Sequence, residues 1–398
     1  MTTPVQAPGG ARPQQRGRQQ AQPLPPRPFR VGVQSHEETN YDSSLTQSSS
    51  TQDYPVFELP AQGFLRGIYM QFDAYSANSG PASVAYAANQ LDAPFNILDT
   101  VVLEDTNGKP IVGPFGGYDL YLVNKYGGYS FGHDPKESPN YQADSGASEI
   151  NVSFVLRIPV EIVARDTLGS LPNKSGTNKF RVKVRLAASA TVFATAPTEA
   201  LSCRLRMVPE HWWEPDAQDL KGRPLQQSPP ASQTTQYWTK GVYSIGSGDQ
   251  RIQIQQGMGY LLRNLIFINR TTSDLRSSTS DSNWPDPASI QFEANILFDR
   301  LRSQWKERMF RYWNLKVPTA TSDVVAATGG GGLDYSVYAL PFTDDFGLIP
   351  GQETRRGYLA TSDGSRLEFR GNFGAASNFV VLANYVAPAR MDDAAIVA

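Results

Sequence analysis

The sequence is poor in the residues that most metal and nucleophile sites require. It has a single cysteine, Cys203, and three histidines, His36, His133 and His211. One cysteine excludes an intrachain disulfide and any cysteine-based metal cluster, and it fits assembly in a reducing cytoplasm. We therefore expect Cys203 to be a small buried residue, and we assign no metal, cofactor or catalytic residue to this chain.

Long apolar runs are also absent. Residues 1–30 are polar and arginine-rich and lack the apolar core of a secretory signal, and no later segment approaches the ~20 apolar residues of a membrane span. The formal net charge of −2 does not indicate a polyanionic partner, so we expect no sequence-specific binding of nucleic acid. These features predict a protein that is soluble as made.

Turn-forming and aromatic residues are plentiful. The 398 residues include 33 Gly and 29 Pro, and 11% are aromatic, which is typical of a β-rich protein with many turns. This length accommodates two all-β domains with a core in each.

The first 50 residues have the composition of an extended arm. They are rich in Pro, Gln and Arg and cannot bury enough apolar surface to offset their own ordering entropy. We predict that the arm orders only against a partner, which is an anionic lipid surface or a neighbouring subunit. The residues predicted to make this contact are Arg12, Arg16, Arg18, Arg27 and Arg30.

Short β-branched and aromatic runs separated by turn residues then predict two β domains. The first domain covers residues 51–208, with strands near 63–74, 95–104, 118–124, 149–163, 179–194 and 201–208. A Pro, Gln and Ser-rich linker spans 209–240. The second domain covers 241–390, with strands near 250–256, 260–269, 289–298, 335–342, 365–373 and 378–386, and 391–398 form a tail.

One helix is predicted, over residues 300–314. Its apolar residues recur every four positions, at Leu301, Trp305, Met309 and Trp313, which indicates one face packed against a sheet.

Three weak internal matches occur in the same order in both halves. The segment around Arg66 resembles that around Arg263, 197 positions later. Residues 154–173 resemble 337–351, which places Pro341 182 positions after Pro159, and residues 179–193 resemble 366–381 at an offset of 188. The similar offsets predict a duplicated β domain.

The order and character of these segments resemble the double jelly-roll major capsid proteins of the tectivirus and adenovirus-hexon lineage. The resemblance is carried by VFELPAQGFLRGIYMQFDAYSAN (56–78), ILDTVVLEDTNGKPIV (97–112), the strand that contains Pro159 and the FRVKV strand at 180–184. It covers residues 40–390, but no single motif in it is diagnostic.

The resemblance implies two tandem eight-stranded jelly rolls in an all-β chain with few short helices and an extended N-terminal arm. It also implies a homotrimeric, six-sided subunit of an icosahedral virion, made soluble in the host cytoplasm, with neighbouring capsomers, penton and minor capsid proteins and internal membrane lipids as partners. Three loops are candidates for outward or intersubunit contacts, namely 125–148, 271–288 and 316–334 with its Gly329–Gly332 run. A solvated linker is the alternative for each loop.

Enzyme classes fit less well. A duplicated cupin-like metalloenzyme would need clustered histidines, and the chain has no His-x-His. Serine hydrolases and phosphate-binding loops would need motifs that are also missing. The adjacent acids Glu104-Asp105 and Asp344-Asp345 are better explained as strand-end and turn residues, because neighbours on a strand point to opposite faces.

A trimeric receptor-binding or glycan-binding spike remains as a second interpretation. Such a protein would expose aromatic side chains on its loops. The candidates for this role are Trp212, Trp213, Trp238 and Trp284.

Overall fold

The computed structural model describes most of the chain after the first 32 residues. The described residues are 33–76, 92–129, 133–145, 149–164, 167–193, 197–214, 216, 218, 220–222, 235–254, 259–276, 280–293, 295–315, 333–343, 346, 353, 357–361 and 366–387.

The strands of the first half form two facing sheets. They are β1 (Ser35–Glu37), β2 (Tyr41–Thr46), β3 (Gln52–Asp53), β4 (Phe57–Glu58), β5 (Phe64–Ser76), β6 (Leu98–Glu104), β7 (Pro110–Phe115), β8 (Gln142–Ser145), β9 (Ile150–Pro159), β10 (Leu171–Pro172), β11 (Arg181–Leu186) and β12 (Ser202–Trp212). One sheet has the order β2-β12-β5-β9, and the other has β3 and β4 beside β11, then β6 and β7. With the strands lettered B to I along the chain, these orders are BIDG and CHEF, which is the jelly-roll topology.

The second half repeats this arrangement. Its strands are β13 (Thr235–Ile245), β14 (Gly248–Gln253), β15 (Leu261–Thr271), β16 (Ala288–Phe292), β17 (Asn295–Arg300), β18 (Val337–Pro341), β19 (Leu359–Ala360), β20 (Leu367–Phe373) and β21 (Ser377–Ala387). The order β13-β21-β15-β18 is BIDG, and the order β14-β20-β16-β17 is CHEF. The predicted double jelly roll is confirmed.

Alternating burial explains why these segments are strands. In β9, every second residue from Ile150 to Ile158 is buried and the residues between are half-buried. Phe72 and Phe154, which are partners on the adjacent strands β5 and β9, stack with ring centroids 5.1 Å apart inside the first sandwich. A period of two places one face of each strand in the core. The strand β15 differs, because every residue from Leu261 to Arg270 is buried.

The two jelly rolls share a sheet. The F strand of the first, β7, pairs in parallel with the B strand of the second, β13, where Val112 is the partner of Trp238. This pairing joins the CHEF sheet of the first jelly roll to the BIDG sheet of the second in one ten-stranded sheet.

The internal repeat is visible in strand register. The two D strands, β5 and β15, contain the matching segments around Arg66 and Arg263. Gly67 pairs with Pro159 in the first jelly roll, and Asn264 pairs with Pro341 in the second. Asn264 lies 197 positions after Gly67, and Pro341 lies 182 positions after Pro159, so the two offsets map one strand pair onto the other. The sequence alignment of the two halves is therefore structurally correct. The third match also joins equivalent elements, the H strands β11 and β20.

In the described part of the chain, three α-helices connect the strands, namely α1 (Gly117–Tyr126), α2 (Ser189–Val192) and α3 (Arg302–Trp313). The helix predicted at 300–314 is confirmed as α3, with Trp305, Met309 and Trp313 buried and Leu301 at its N-cap. The strand predicted at 118–124 is wrong, because these residues lie in α1. All ten residues of α1 are buried, so its apolar residues do not follow a one-sided helical period.

Several element boundaries differ from the predicted segments. Strands β1 and β2 lie within residues 1–50, which the sequence assigned to the arm. Residues 209–212 lie in β12 and residues 235–240 in β13, so both ends of the predicted linker are strand. The Pro-rich and Gln-rich composition predicts the presence of a linker but not its ends, because strand pairing extends into the segment from both sides.

Candidate assembly site

The junction between the jelly rolls is built around α1, the helix between the F and G strands of the first. One side of α1 packs into its own sandwich, where Tyr121 stacks on Phe95 at 4.3 Å between ring centroids. The other side meets β15 of the second jelly roll. Because α1 lies between the two jelly rolls, both its faces are covered.

Residues of β15 cap the C-terminal end of α1. The Nη1 of Arg263 donates to the carbonyl oxygen of Gly127 at 2.9 Å, and Nδ2 of Asn264 donates to that of Tyr126 at 2.9 Å. The carbonyls at a helix C-terminus lack partners within the helix and carry partial negative charge, so a guanidinium stabilises this end. Arg263 also forms a bidentate pair with Glu353, at 2.8 and 2.7 Å.

A buried ion cluster holds the next part of the junction. The Nζ of Lys125 lies 2.6 Å from Asp134 and 2.8 Å from Asp334, and all three side chains are 1% exposed. Burial alone would lower the pKa of Lys125, but the two carboxylates raise it above its usual value. Burial would also raise the pKa of Asp334, but the Lys125 ammonium holds it well below its usual range. Lys125 and Asp334 are therefore ionised, and their pair ties α1 to the second jelly roll.

A second buried ion cluster, made of one aspartate and two arginines, completes the contact. Asp92 of the first jelly roll accepts from Arg270 and Arg276 of the second, at 2.7 and 3.2 Å. Both guanidinium groups lie over the ring of Tyr118 in α1, at 5.8 and 5.0 Å from its centroid. One carboxylate thus holds two guanidinium groups over an aromatic ring, so the two jelly rolls are held by specific as well as apolar contacts.

The arginine of the first jelly roll that corresponds to Arg263 lies close to β1. The Nε of Arg66 donates to Glu161 at 2.9 Å, and its Nη1 donates to Ser35 at 2.8 Å. The guanidinium lies 4.0 Å from the ring centroid of Trp212, whose Nε1 donates to the same Glu161 at 2.8 Å. This cluster fixes the edge of the first jelly roll where the chain enters it.

The three histidines do not form a catalytic or metal site. His133 is 81% exposed beside Glu137. His36 and His211 are partners on neighbouring strands, and His211 is buried against Asn173. Burial lowers the pKa of His211 to about 4, so its ring is neutral. Within the described ranges, no group of three or more His, Cys, Asp or Glu side chains could hold a metal ion.

The single cysteine and one visible acid pair have structural roles. Cys203 is buried as expected, and burial raises the pKa of its thiol to about 12.

Glu104 pairs with Lys183 at 2.7 Å across neighbouring strands. Asp105 accepts from the backbone N–H groups of Asn107 and Lys109, both at 2.8 Å, in the turn between β6 and β7. The assignment of Glu104-Asp105 to a strand end and a turn is confirmed.

Tryptophan exposure does not favour the spike interpretation. Trp212, Trp238 and Trp284 are buried, and Trp284 stacks on Tyr338 in the core of the second jelly roll at 3.8 Å between centroids. Only Trp213 of the four is exposed, at 57%.

Other predicted site residues lie outside the described part of the chain. These are the arm residues Arg12, Arg16, Arg18, Arg27 and Arg30, the pair Asp344-Asp345, and Gly329–Gly332. Among the described residues, no helix is long and apolar enough to span a membrane.

The residues that build the junction were missed in the sequence. Lys125, Asp134 and Asp334 fall in the segments 125–148 and 316–334, which were predicted as outward or intersubunit loops. Their burial corrects that prediction for these three positions. The available signal was a lysine inside the tyrosine-rich segment YDLYLVNKYGGY, where an isolated charge among apolar residues implies a buried partner.

Comparisons with known proteins identify the fold. No family model and no curated protein matches the chain. The crystal structure of the STIV MCP matches with a TM-score of 0.59 at 12% identity, over 90% of this chain and 98% of that chain. The atomic structure of Sulfolobus Turreted Icosahedral Virus matches with a TM-score of 0.58 at 13% identity, over 91% of this chain and 93% of that chain.

A quasi-atomic model of the PBCV-1 virus capsid also matches, with a TM-score of 0.50 at 11% identity, over 89% of this chain and 94% of that chain. These matched structures are double jelly-roll capsid proteins, and the match runs through both halves of the chain. The fold is therefore the double jelly roll, as the resemblance implied.

Proposed function

We propose that this chain is the major capsid protein of an icosahedral virus, and that three copies form a six-sided capsomer. The observation that carries the proposal is the junction itself, in which β7 pairs with β13 and α1 packs on β15. This contact places two similar jelly rolls side by side in one chain. Three such chains around a threefold axis present six similar units, which can tile a shell.

The fold likeness supports the same proposal. The STIV MCP and the protein of the PBCV-1 virus capsid have the double jelly-roll fold, and both belong to virus capsids. Fold alone does not determine function, so the buried junction matters more. It gives no catalytic constellation, and its charged residues are used to hold the two units together.

Further partners follow from a capsomer role. We propose contacts with neighbouring capsomers and with penton and minor capsid proteins, and production as a soluble subunit in the host cytoplasm. We also propose that Arg12, Arg16, Arg18, Arg27 and Arg30 contact neighbouring subunits or the lipids of an internal membrane. A basic residue near an anionic surface contributes about 1 kcal/mol, so five together would matter.

The mass of the full-length protein in solution tests the capsomer proposal. Size exclusion with light scattering should give about 131 kDa, three times the 43.7 kDa of one chain. The particle should persist after heating to about 60 °C, near the upper range of single-domain melting, and appear six-sided in negative-stain images. A monomer at every concentration would overturn the proposal.

Deletion of residues 2–30 tests the arm. The truncated and full-length proteins are compared by flotation with vesicles that contain anionic lipid and with vesicles that contain only neutral lipid. We expect the full-length protein to float only with anionic vesicles, and the truncated protein to remain at the bottom. Equal flotation of both proteins would remove the proposed lipid contact.

A further inference from the structure

The two equivalent connecting helices differ in how much of their surface is covered. Both begin in the same way, with the cap N–H of Gly116 donating to Asp119 in α1 and that of Leu301 donating to Gln304 in α3. All ten residues of α1 are buried, whereas only Trp305, Met309 and Trp313 of the twelve residues of α3 are buried. The surface of α1 that meets the second jelly roll therefore has an uncovered counterpart on α3.

The F strands show the same difference. Counting back from the two helix caps, Ile111 and Val112 in β7 correspond to Ile296 and Leu297 in β17. The first pair is 2% and 1% exposed because β7 pairs with β13, whereas the second pair is 60% and 36% exposed. Among the described strands, β17 pairs only with β16. The F edge of the second jelly roll is thus an open copy of the edge that is closed inside the chain.

The receiving surface is also present twice. In the second jelly roll, Ile266 and Ile268 on the outer face of β15 are fully buried, on the strand that packs against α1. The offset of 197 makes Tyr69 and Gln71 their counterparts in β5. Tyr69 is 39% exposed and Gln71 is half-buried. The outer face of the first BIDG sheet therefore has the position of a receiving surface but carries polar residues.

Strand register identifies the edge that would meet β17. Asn384 of β21 pairs with Trp238 on one side and with Asn264 on the other. In the first jelly roll, Glu210 pairs with Gly67, which is the counterpart of Asn264, so Glu210 is the counterpart of Asn384. Glu210 pairs with Glu37 of β1, so Glu37 occupies the place of Trp238. Since Trp238 is the residue that meets β7, Glu37 is the residue expected to meet Leu297 of another chain.

The charges of the two free surfaces are complementary. An open groove of about 530 Å³ lies between β17 and α3, and its charged lining residues are three arginines, Arg300, Arg308 and Arg311, and two acids, Asp299 and Glu307. Arg311 pairs with Glu307 at 3.0 Å, and the lining keeps a net positive charge. The β1–β2 edge carries the exposed acidic residues Glu37, Glu38 and Asp42, of which Asp42 pairs with Arg204 of β12. Burial, together with the nearby charge of Arg308, lowers the pKa of Arg300 to about 10. An acidic edge fits a groove of this charge.

We infer that the β17–α3 groove of one chain docks on the β1–β2 edge and outer first sheet of a second copy of the same chain. This contact repeats the junction inside the chain, and it rests on the proposed capsomer function. The inner junction is closed during folding by apolar residues and buried ion pairs, whereas the outer surfaces carry exposed charged residues together with the exposed Ile296 and Leu297. The outer contact can therefore form between chains that are already folded, and it should weaken with salt.

Charge reversal tests the contact in the full-length protein. The variant Arg308→Glu with Arg311→Glu, and the variant Glu37→Arg with Glu38→Arg, should each raise the dissociation constant of the oligomer at least tenfold. The variant that combines all four changes should recover most of the assembly. Arg251→Glu is the matched control, because Arg251 is exposed on β14 at the opposite edge of the same sheet.

A crosslink tests the same contact without relying on charge. With Glu37→Cys and Leu297→Cys in one chain, mild oxidation should produce covalent dimers and trimers, whereas either single variant should not. Cys203 is buried and does not compete.

The outcomes separate the two proposals. A wild-type protein that never assembles would overturn the capsomer proposal. A wild-type oligomer that both charge reversals leave intact, and that the cysteine pair does not crosslink, would overturn this contact alone.

Discussion

Arg66 and Arg263 are each the extra residue of a β-bulge at the same position in the two D strands. In β5 the partners of Leu65 and Gly67 are the consecutive residues His211 and Glu210, and the pairing around Arg263 is interrupted in the same way. A bulge turns its side chain out of the regular ladder. Both arginines use this to reach a glutamate that follows the G strand, Glu161 or Glu353.

The two arginines should differ in their contribution to stability. The side chain of Arg263 is fully buried, so Arg263→Met removes the cation that pairs with Glu353 and the donor to the carbonyl of Gly127, and we expect a loss of about 3–5 kcal/mol. Water can reach Arg66, whose side chain is 14% exposed, so Arg66→Met should lose only about 1–2 kcal/mol. Urea unfolding at one fixed protein concentration measures both, and equal losses would contradict the assignment.

Lys125 should be required for the junction between the jelly rolls. Lys125→Met leaves Asp134 and Asp334 buried without a cation, and we expect a loss of about 3–5 kcal/mol in the free energy of unfolding. Combining it with Asp134→Asn and Asp334→Asn should restore part of this loss. The control Lys183→Met, at an ion pair whose lysine is half-exposed, should change stability by less than about 1 kcal/mol. A Lys125→Met protein as stable as the control would refute the role of the cluster.

His211 should make the fold less stable in mild acid. Its folded pKa is about 4, below the unfolded value of 6.5. Above pH 6.5 the ring is neutral in both states and has no effect. As the pH falls from 6.5 to 4, the unfolded chain binds a proton that the folded chain excludes, so stability falls by up to about 3 kcal/mol.

The variant His211→Gln checks this dependence, because glutamine keeps an acceptor for Asn173 but does not titrate. Chemical denaturation between pH 7 and pH 4 should show a shallower loss of stability than in the wild type. His133→Gln, at an exposed histidine, should leave the wild-type slope unchanged. Parallel slopes for all three proteins would show that His211 has the same pKa in the folded and unfolded chains, which contradicts the expectation.

The two sides of α3 should respond differently to truncation. Trp305 is fully buried and its Nε1 donates to the carbonyl of Ala339 at 2.9 Å, so Trp305→Ala should lose about 3–5 kcal/mol. Phe310 is 39% exposed, and Phe310→Ala should change the stability of the single chain by less than about 1 kcal/mol. Thermal unfolding at low protein concentration compares them. A large loss from Phe310→Ala would mean that this side already packs within its own chain.

Local pattern was enough to predict much of the fold. The strands around Arg66 and Arg263 are rich in apolar residues, and turns separate them, so short-range preferences and tertiary structure agree. The helix α3 was predicted because its buried residues repeat on one face. The helix α1 was not, because a helix covered on all sides has no polar face to reveal its period.

The sequence by itself determined that the chain is duplicated, that it is built from β-strands, and that it has few groups suited to catalysis. These properties follow from composition and from spacing along the chain. Only the tertiary structure decided that Lys125 meets Asp334 and that Asp92 meets Arg270. Such pairs lie far apart in sequence and leave no periodic signal, because their contact depends on how one jelly roll is placed against the other.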